Sequence, residues 1–241
     1  TTVAGNVPLP LTQYNARRVC HLAQRPDVPV FAGCPRAVLQ PPITAEHVHG
    51  TTGLDGAVLP EPTLPLQAQH GVAFLINQLL KTEAPITLAM LGPLTNLAMA
   101  LIQSPEVAQG IDRVVVMGGA GGQGNVTPSA EFNIYADPHA ARVVFEAGLP
   151  LTLLGLDLTH QVVTTPERLA ALENLGTAVG QVAADLLRYY GQLDAERYGL
   201  EAPPLHDPCV IAYLLQPDLF TGRPMHVAVE TDSPLCLGRT V

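Results

Sequence analysis

The sequence predicts an α/β fold with an open, mostly parallel sheet and helices on both of its faces, a Rossmann-like architecture. Short apolar and β-branched segments alternate along the chain with segments of helical periodicity. The predicted strands are apolar throughout, which is typical of strands buried on both faces of a parallel sheet. With 21 glycines and 23 prolines among 241 residues, the chain also has the turns that such alternation requires.

The individual elements follow from these patterns. Runs of apolar and β-branched residues predict the strands Thr1–Ala4, Val28–Phe31, Ile86–Leu91, Arg113–Met117, Leu151–Leu156 and Met225–Glu230. Apolar spacings of three and four residues predict the helices Leu11–Gln24, Leu66–Lys81, Leu94–Gln103, Pro138–Ala147, Pro166–Leu175, Thr177–Tyr190 and Pro208–Leu215. Capping residues before proline mark three of these helix starts, at Asp137, Thr165 and Asp207. Ligands of such folds bind outside the carboxyl ends of the strands, so we expect the chemistry in the loops that follow them.

Composition argues against several classes of protein. Hydrophobic residues make up 47% and charged residues 14%, which excludes a disordered chain. The net charge of −9 leaves no basic stripe for nucleic acid, and no apolar run is long enough to span a membrane. The cysteines are scattered without metal-binding spacing, as expected of free thiols in a reducing cytoplasm: Cys20, Cys34, Cys209 and Cys236. No repeat or linker divides the chain, so residues 1–241 are interpreted as one domain.

A glycine-rich segment, Gly119–Gly124, follows the fourth predicted strand and matches G-x-G-x-x-G. A dinucleotide site needs this motif to open a helix, but helical periodicity resumes only at Pro138. A loop on the substrate side is therefore favoured, with an NAD-dependent oxidoreductase as an alternative. The chain contains neither G-x-S-x-G nor a P-loop motif, which argues against a hydrolase with a nucleophile elbow and against a P-loop enzyme.

Two segments have side chains suited to a polar ligand. Asn125, Glu131 and Asn133 share one loop, and in an extended segment Glu131 and Asn133 project to the same side, where they suit the hydroxyls of a sugar. A capped, solvated loop is the alternative. His206 and Asp207 offer an imidazole for proton transfer beside a carboxylate for a hard cation, although an aspartate before proline is also an ordinary helix cap.

Collinear segments of the chain resemble the inosine–uridine-preferring nucleoside hydrolases. They cover nearly the whole sequence, and the set as a whole is specific to that family. The segments are Thr1–Asn6, Val48–Leu54, Leu91–Asn96, Val116–Gly119, Asn125 with Ala130–Asn133, Gly155–Gln161, and His206–Cys209.

The resemblance implies hydrolysis of the N-glycosidic bond of a ribonucleoside to free base and ribose, as in purine or pyrimidine salvage. It implies a calcium ion that chelates the ribose diol and holds the attacking water, with Asp207 and the backbone carbonyl of Leu91 among its ligands. His49 and His206 would face the base, and His206 would be the acid that protonates the leaving base. Tyr198 would close over the base. The residues expected to hold the ribose are Asn6, Met117, Asn125, Glu131 and Asn133.

One departure from the family is large. The aspartate-rich loop that supplies most of the calcium carboxylates and the general base is absent. The chain begins at what resembles the family's second strand and stops short of its last strand and helix, so we expect a domain that lacks its first βα unit and its C-terminal tail. We expect this chain to bind calcium poorly and to turn over little, with a non-catalytic nucleoside- or ribose-binding protein as the alternative. The resemblance also implies a homodimer or homotetramer, and it leaves base preference open.

Overall fold

The computed structural model describes residues 1–198 and 202–241, and for residues 193–198 it describes the helical backbone only. The strands are β1 (Val30–Phe31), β2 (Leu66–Gln67), β3 (Ile86–Met90), β4 (Ile111–Met117) and β5 (Leu151–Leu154). The helices are α1 (Leu9–Leu22), α2 (Glu46–His49), α3 (Gly71–Lys81), α4 (Thr95–Gln103), α5 (Phe132–Ala136), α6 (Pro138–Glu146), α7 (Leu156–Thr159), α8 (Pro166–Glu173), α9 (Ala178–Tyr198) and α10 (Pro208–Leu215). Short 3₁₀ turns span Pro105–Gly110 and Pro217–Leu219.

The sheet is parallel and β4 is its central described strand. β3, β4 and β5 pair in that order, while β1 and β2 form a separate parallel pair that Thr2 extends through a parallel bridge to Ala32. Val114 and Val116 pack against α4 and α6, whereas Met117 packs on the opposite face against α10. Because successive side chains of a strand point to opposite faces, helices cover both faces of β4, as predicted.

β3 is packed on one face only. Ile86, Leu88 and Met90 join the core formed with α4, whereas Thr87 and Ala89 are exposed on the other face. Leu91, the next residue, is 40% exposed. The strand that leads to the proposed calcium ligand is therefore the least covered of the three.

The structure differs from the prediction at both ends of the chain. Thr1–Ala4 contributes a single bridge instead of a strand, with Thr2 as the paired residue. Met225–Glu230 is not a strand of the parallel sheet either. Its backbone pairs locally and antiparallel with the end of the chain, where Ala228 and Val241 exchange two hydrogen bonds of 2.8 and 3.0 Å. Short local pairing of this kind satisfies the backbone without forming a regular strand.

Two internal boundaries also differ. The predicted helix Leu66–Lys81 divides into β2 and α3, because the His70 side chain accepts a hydrogen bond from the Val72 amide and caps α3 there. The predicted strand Leu151–Leu156 ends two residues early, because Leu156 begins α7. No helix of the described residues combines the length and apolar character needed to cross a bilayer.

Candidate active site

Glu131 is a buried carboxylate at the amino end of α5, and only 2% of its surface is exposed. Its Oε1 accepts a hydrogen bond from the Asn133 amide at 2.9 Å, and its Oε2 accepts from Gly119 at 2.9 Å and from Ile134 at 3.2 Å. Burial, with a smaller contribution from the charge of Asp207, raises the pKa of Glu131 to about 7 against the opposing effect of these amides. The three bonds leave about one lone pair of the carboxylate for a ligand hydroxyl.

Asn133 and Met117 lie beside this carboxylate. The Asn133 side-chain amide donates to the Met117 carbonyl at 3.1 Å, and both residues are buried. Asn125 is exposed and its Oδ1 accepts from the Phe132 amide at 2.9 Å, so it fastens the loop to the start of α5. The prediction of an extended segment here was wrong. Glu131 caps a helix whose first turn contains Asn133, because its carboxylate satisfies amides that would otherwise be unpaired.

Asp207 precedes α10 but does not cap it. Its backbone is already helical, and its carboxylate makes no hydrogen bond to the amides of the helix. Burial raises the pKa of Asp207 to about 6. The interpretation of Asp207 as an ordinary helix cap is therefore wrong, and its carboxylate is available to another partner.

Two histidines predicted to face the base share one region. Nδ1 of His206 lies 2.8 Å from Oγ1 of Thr159, and the centroids of the His206 and His160 rings are 5.8 Å apart. Burial, with smaller contributions from the nearby His160 and His49, lowers the pKa of His206 to about 4. The His49 ring is parallel to that of Tyr190 on α9, with 5.8 Å between the centroids.

Other predicted residues make no hydrogen bond to Glu131 or Asp207 within the described part of the chain. Asn6 is exposed, and its carbonyl accepts from the Ala45 amide at 2.8 Å. No hydrogen bond within the described part of the chain joins Asn6 or Leu91 to Glu131 or Asp207. Tyr198 belongs to α9, but its side chain lies outside the described residues.

The sequence profile of the inosine-uridine preferring nucleoside hydrolases matches residues 1–241. The chain belongs to this family. It is 44% identical over 241 residues to the pyrimidine-specific ribonucleoside hydrolase RihB of Escherichia coli, a match that covers 100% of the chain and 77% of RihB. It is 47% identical over 243 residues to an uncharacterized protein of Schizosaccharomyces pombe, covering 100% of the chain and 78% of that protein.

A solved structure of a nucleoside hydrolase has the same fold. The purine-preferring ribonucleoside hydrolase from Gardnerella vaginalis superposes with a TM-score of 0.93 at 31% identity, over 99% of this chain and 77% of that one. The fold is therefore that of the nucleoside hydrolases, and the activity of the family is ribonucleoside hydrolysis.

The described residues of this nucleoside hydrolase do not fit a calcium ion by themselves. No three His, Cys, Asp or Glu side chains among them converge in a way that could hold a metal. Calcium takes six to eight oxygen ligands, whereas Asp207 and one carbonyl are the candidates in this chain.

Sequence reasoning missed Thr159 and Tyr190. Thr159 lies in a segment, Gly155–Gln161, that resembles the family, but its contact with His206 spans 47 residues of sequence. Nothing in the local pattern connects those two positions. Tyr190 falls in a helix whose periodicity gives no sign that it meets His49.

Proposed function

We propose that this nucleoside hydrolase cleaves its substrate between a sugar subsite on α5 and an imidazole pair on the base side. The observation that carries the proposal is electrostatic proximity. The pKa of Glu131 responds to Asp207, and the pKa of His206 responds to His49. Each pair therefore lies within interaction range, and His206 and Asp207 link the two pairs because they are neighbours in sequence. Glu131 lies after the carboxyl end of β4, where ligands of parallel sheets bind.

Glu131 and Asn133 hold the ribose in this proposal, with Met117 and Asn125 beside them and Asn6 at the rim. Breaking the glycosidic bond builds positive charge on the sugar ring. Oxygens that are already fixed by hydrogen bonds stabilise that charge without reorganising. The Glu131 carboxylate has such fixed geometry, since three backbone amides hold it.

His206 is the proposed proton donor, and His49 faces the base beside it. As the bond from C1′ to the base nitrogen breaks, its electron pair stays on the base, which takes a proton from the imidazole. Water attacks C1′ and leaves its hydroxide there. The remaining proton of the water is released, and it replaces the proton that the imidazole has given to the base. Because the pKa of His206 is lowered to about 4, the resting ring is neutral at pH 7. Its N–H proton passes to the base as the ring takes up the proton that water releases, so no imidazolate is formed.

Calcium is the proposed cofactor, with Asp207 and the Leu91 carbonyl as two of its ligands. The uncapped carboxylate of Asp207 supports this role. Since the described residues supply too few oxygens, we expect the 241-residue chain to bind calcium more weakly than micromolar. Micromolar affinity in a calorimetric titration would contradict this expectation.

Pyrimidine nucleosides are the proposed first substrates, because the identity to a pyrimidine-specific relative is 44% and that to the purine-preferring structure is 31%. The experiment measures base release from uridine, cytidine and inosine by this chain and by the product of its whole gene, with calcium and with a chelator. We expect the gene product to hydrolyse pyrimidine nucleosides and the chelator to abolish the reaction. Nucleoside binding without base release would support a binding protein instead.

A cytoplasmic location and a homodimer or homotetramer complete the proposal. Cys20, Cys34, Cys209 and Cys236 all have free thiols, which supports a reducing compartment. Sedimentation of the purified protein tests the oligomer. One domain over residues 1–241 is supported by Thr240, whose hydroxyl bonds both the amide and the carbonyl of Ala120.

A further inference from the structure

A buried hydroxyl lies against the imidazole of His206. Thr159 ends α7, has no exposed surface, and its Oγ1 is 2.8 Å from Nδ1 of His206. The helix itself is fixed at its other end, because the Leu156 amide donates to the Gly119 carbonyl at 2.9 Å. Gly155 passes so close that a Cβ would lie 2.9 Å from that carbonyl oxygen. α7 is therefore fixed by Gly119 at its first residue and by His206 at its last residue, Thr159.

The hydrogen-bond inventory decides which group donates. Nδ1 of His206 is the hydrogen-bond partner of the Thr159 hydroxyl, and no other described residue accepts the hydroxyl proton of Thr159. If Nδ1–H donated to Oγ1, the hydroxyl proton would stay buried without an acceptor, which costs free energy. The hydroxyl therefore donates to an unprotonated Nδ1. In a neutral imidazole the ring proton is then on Nε2.

We propose that Thr159 is a positioning residue that holds His206 in the Nε2–H tautomer, so that the ring offers an N–H to the leaving base. This inference rests on the proposed role of His206 as the proton donor. The His160 ring packs beside the same imidazole, with 5.8 Å between the two ring centroids. The tautomer is thus set before substrate arrives, as second-sphere hydrogen bonds do for other functional histidines.

The tautomer is measured directly in the full 241-residue chain, labelled with ¹⁵N-histidine, at pH 8. Long-range ¹H–¹⁵N correlation separates a protonated from an unprotonated ring nitrogen, and loss of the signal in His206→Gln assigns it. We expect Nε2–H in the wild type and in Thr159→Ser, and a mixture of tautomers in Thr159→Val. An Nδ1–H wild-type ring would overturn the proposal without any variant, as would an unchanged tautomer in Thr159→Val.

Thr164→Val is the matched control. Thr164 is 4% exposed, and its hydroxyl has no partner among the described residues, so losing it should leave the His206 signal unchanged. Equal disturbance by both valine variants would overturn the specific role of Thr159. Circular dichroism checks folding, and Thr159→Ala replaces the valine variant should that one fail to fold.

Kinetics of the whole gene product separate this inference from the proposed function. Thr159→Val should lower kcat for uridine by about tenfold or more, with little change in KM, and Thr159→Ser should restore it. Cleavage of 4-nitrophenyl riboside, whose leaving group needs no proton, should be unaffected. If Thr159→Val and wild type turn over uridine with equal kcat, the inference alone is overturned. If no form turns over uridine, the proposed function is overturned. The tautomer measurement still tests the contact in that case.

Discussion

The carboxyl ends of β4 and β3 differ in how completely their surroundings are packed. β4 is covered on both faces, and its last residue, Met117, is 2% exposed beside the hydrogen-bonded carboxylate of Glu131. β3 exposes alternate residues and leads to Leu91, which is 40% exposed. The proposed sugar-binding groups thus lie where a two-sided core fixes them. Leu91, one of the proposed metal ligands, does not share this fixed environment, so the two regions should respond very differently to substitution.

The largest expected effect is on the packed side. Glu131→Ala should lower the free energy of unfolding by about 4 kcal/mol, because it leaves three amides without their acceptor and removes a helix cap. Leu91→Ala is the matched change on the exposed side and should cost about 1 kcal/mol or less. Urea denaturation at pH 6 measures both. Equal losses would show that the two regions are equally packed.

The pH dependence of stability sharpens the same contrast. The folded state keeps a proton on Glu131 up to a pKa of about 7, whereas an unperturbed glutamate has a pKa of 4.5. The folded state therefore binds more protons in this window, and the free energy of unfolding should fall by at most about 3 kcal/mol as pH rises through it.

Glu131→Gln isolates this contribution. Asp207 acts in the same direction because its pKa is raised, whereas His206 acts in the opposite direction because its pKa is lowered. Both remain in the variant, so the difference between wild type and Glu131→Gln from pH 4.5 to 8 reports Glu131 together with its interaction with Asp207. A difference that does not change with pH would contradict the raised pKa.

A smaller effect is expected one step from the carboxylate. Asn133→Ala removes the bond to the Met117 carbonyl and should cost about 2 kcal/mol, since that acceptor stays buried. Asn125→Ala, on the exposed loop, should cost about 1 kcal/mol. Thermal unfolding monitored by circular dichroism ranks the two variants. The reverse order would place the rigid part of the sugar subsite on the loop.

The smallest expected effect is on the metal side. A chelator should leave the melting temperature of the 241-residue chain unchanged, because binding stabilises a fold only where a site exists in the folded state. Differential scanning calorimetry with excess calcium and then with chelator gives the comparison. A clear rise of the melting temperature with calcium would show that this chain completes a site of its own.

The local patterns predicted the covered part of the fold well. α10 has the predicted bounds Pro208–Leu215, and β3, β4 and α6 agree to within two residues, because apolar runs and a proline at the first helical position are local signals. β2 was missed because its two residues pair only through tertiary contact with β1. The same distinction holds for the site.

Segment resemblance predicts Glu131, Asn133 and His206 as site residues, but it does not give their orientation. Glu131 is oriented by amides on both sides of it in sequence, one of them 12 residues away at Gly119. The contact between Thr159 and His206 is longer still, at 47 residues. Such contacts depend on how the loops meet after folding, and no periodicity encodes them.

Gly119 has a consequence for motion. Its amide is bound by Glu131, its carbonyl accepts from Leu156 at the start of α7, and its φ of 76° is a backbone conformation that suits glycine. Gly119 thus joins Glu131, the cap of α5, to α7, the helix that carries Thr159. Loosening either helix strains the same residue, so the amides of Gly119 and Leu156 should exchange their hydrogens with solvent at a common rate, as members of a single opening unit.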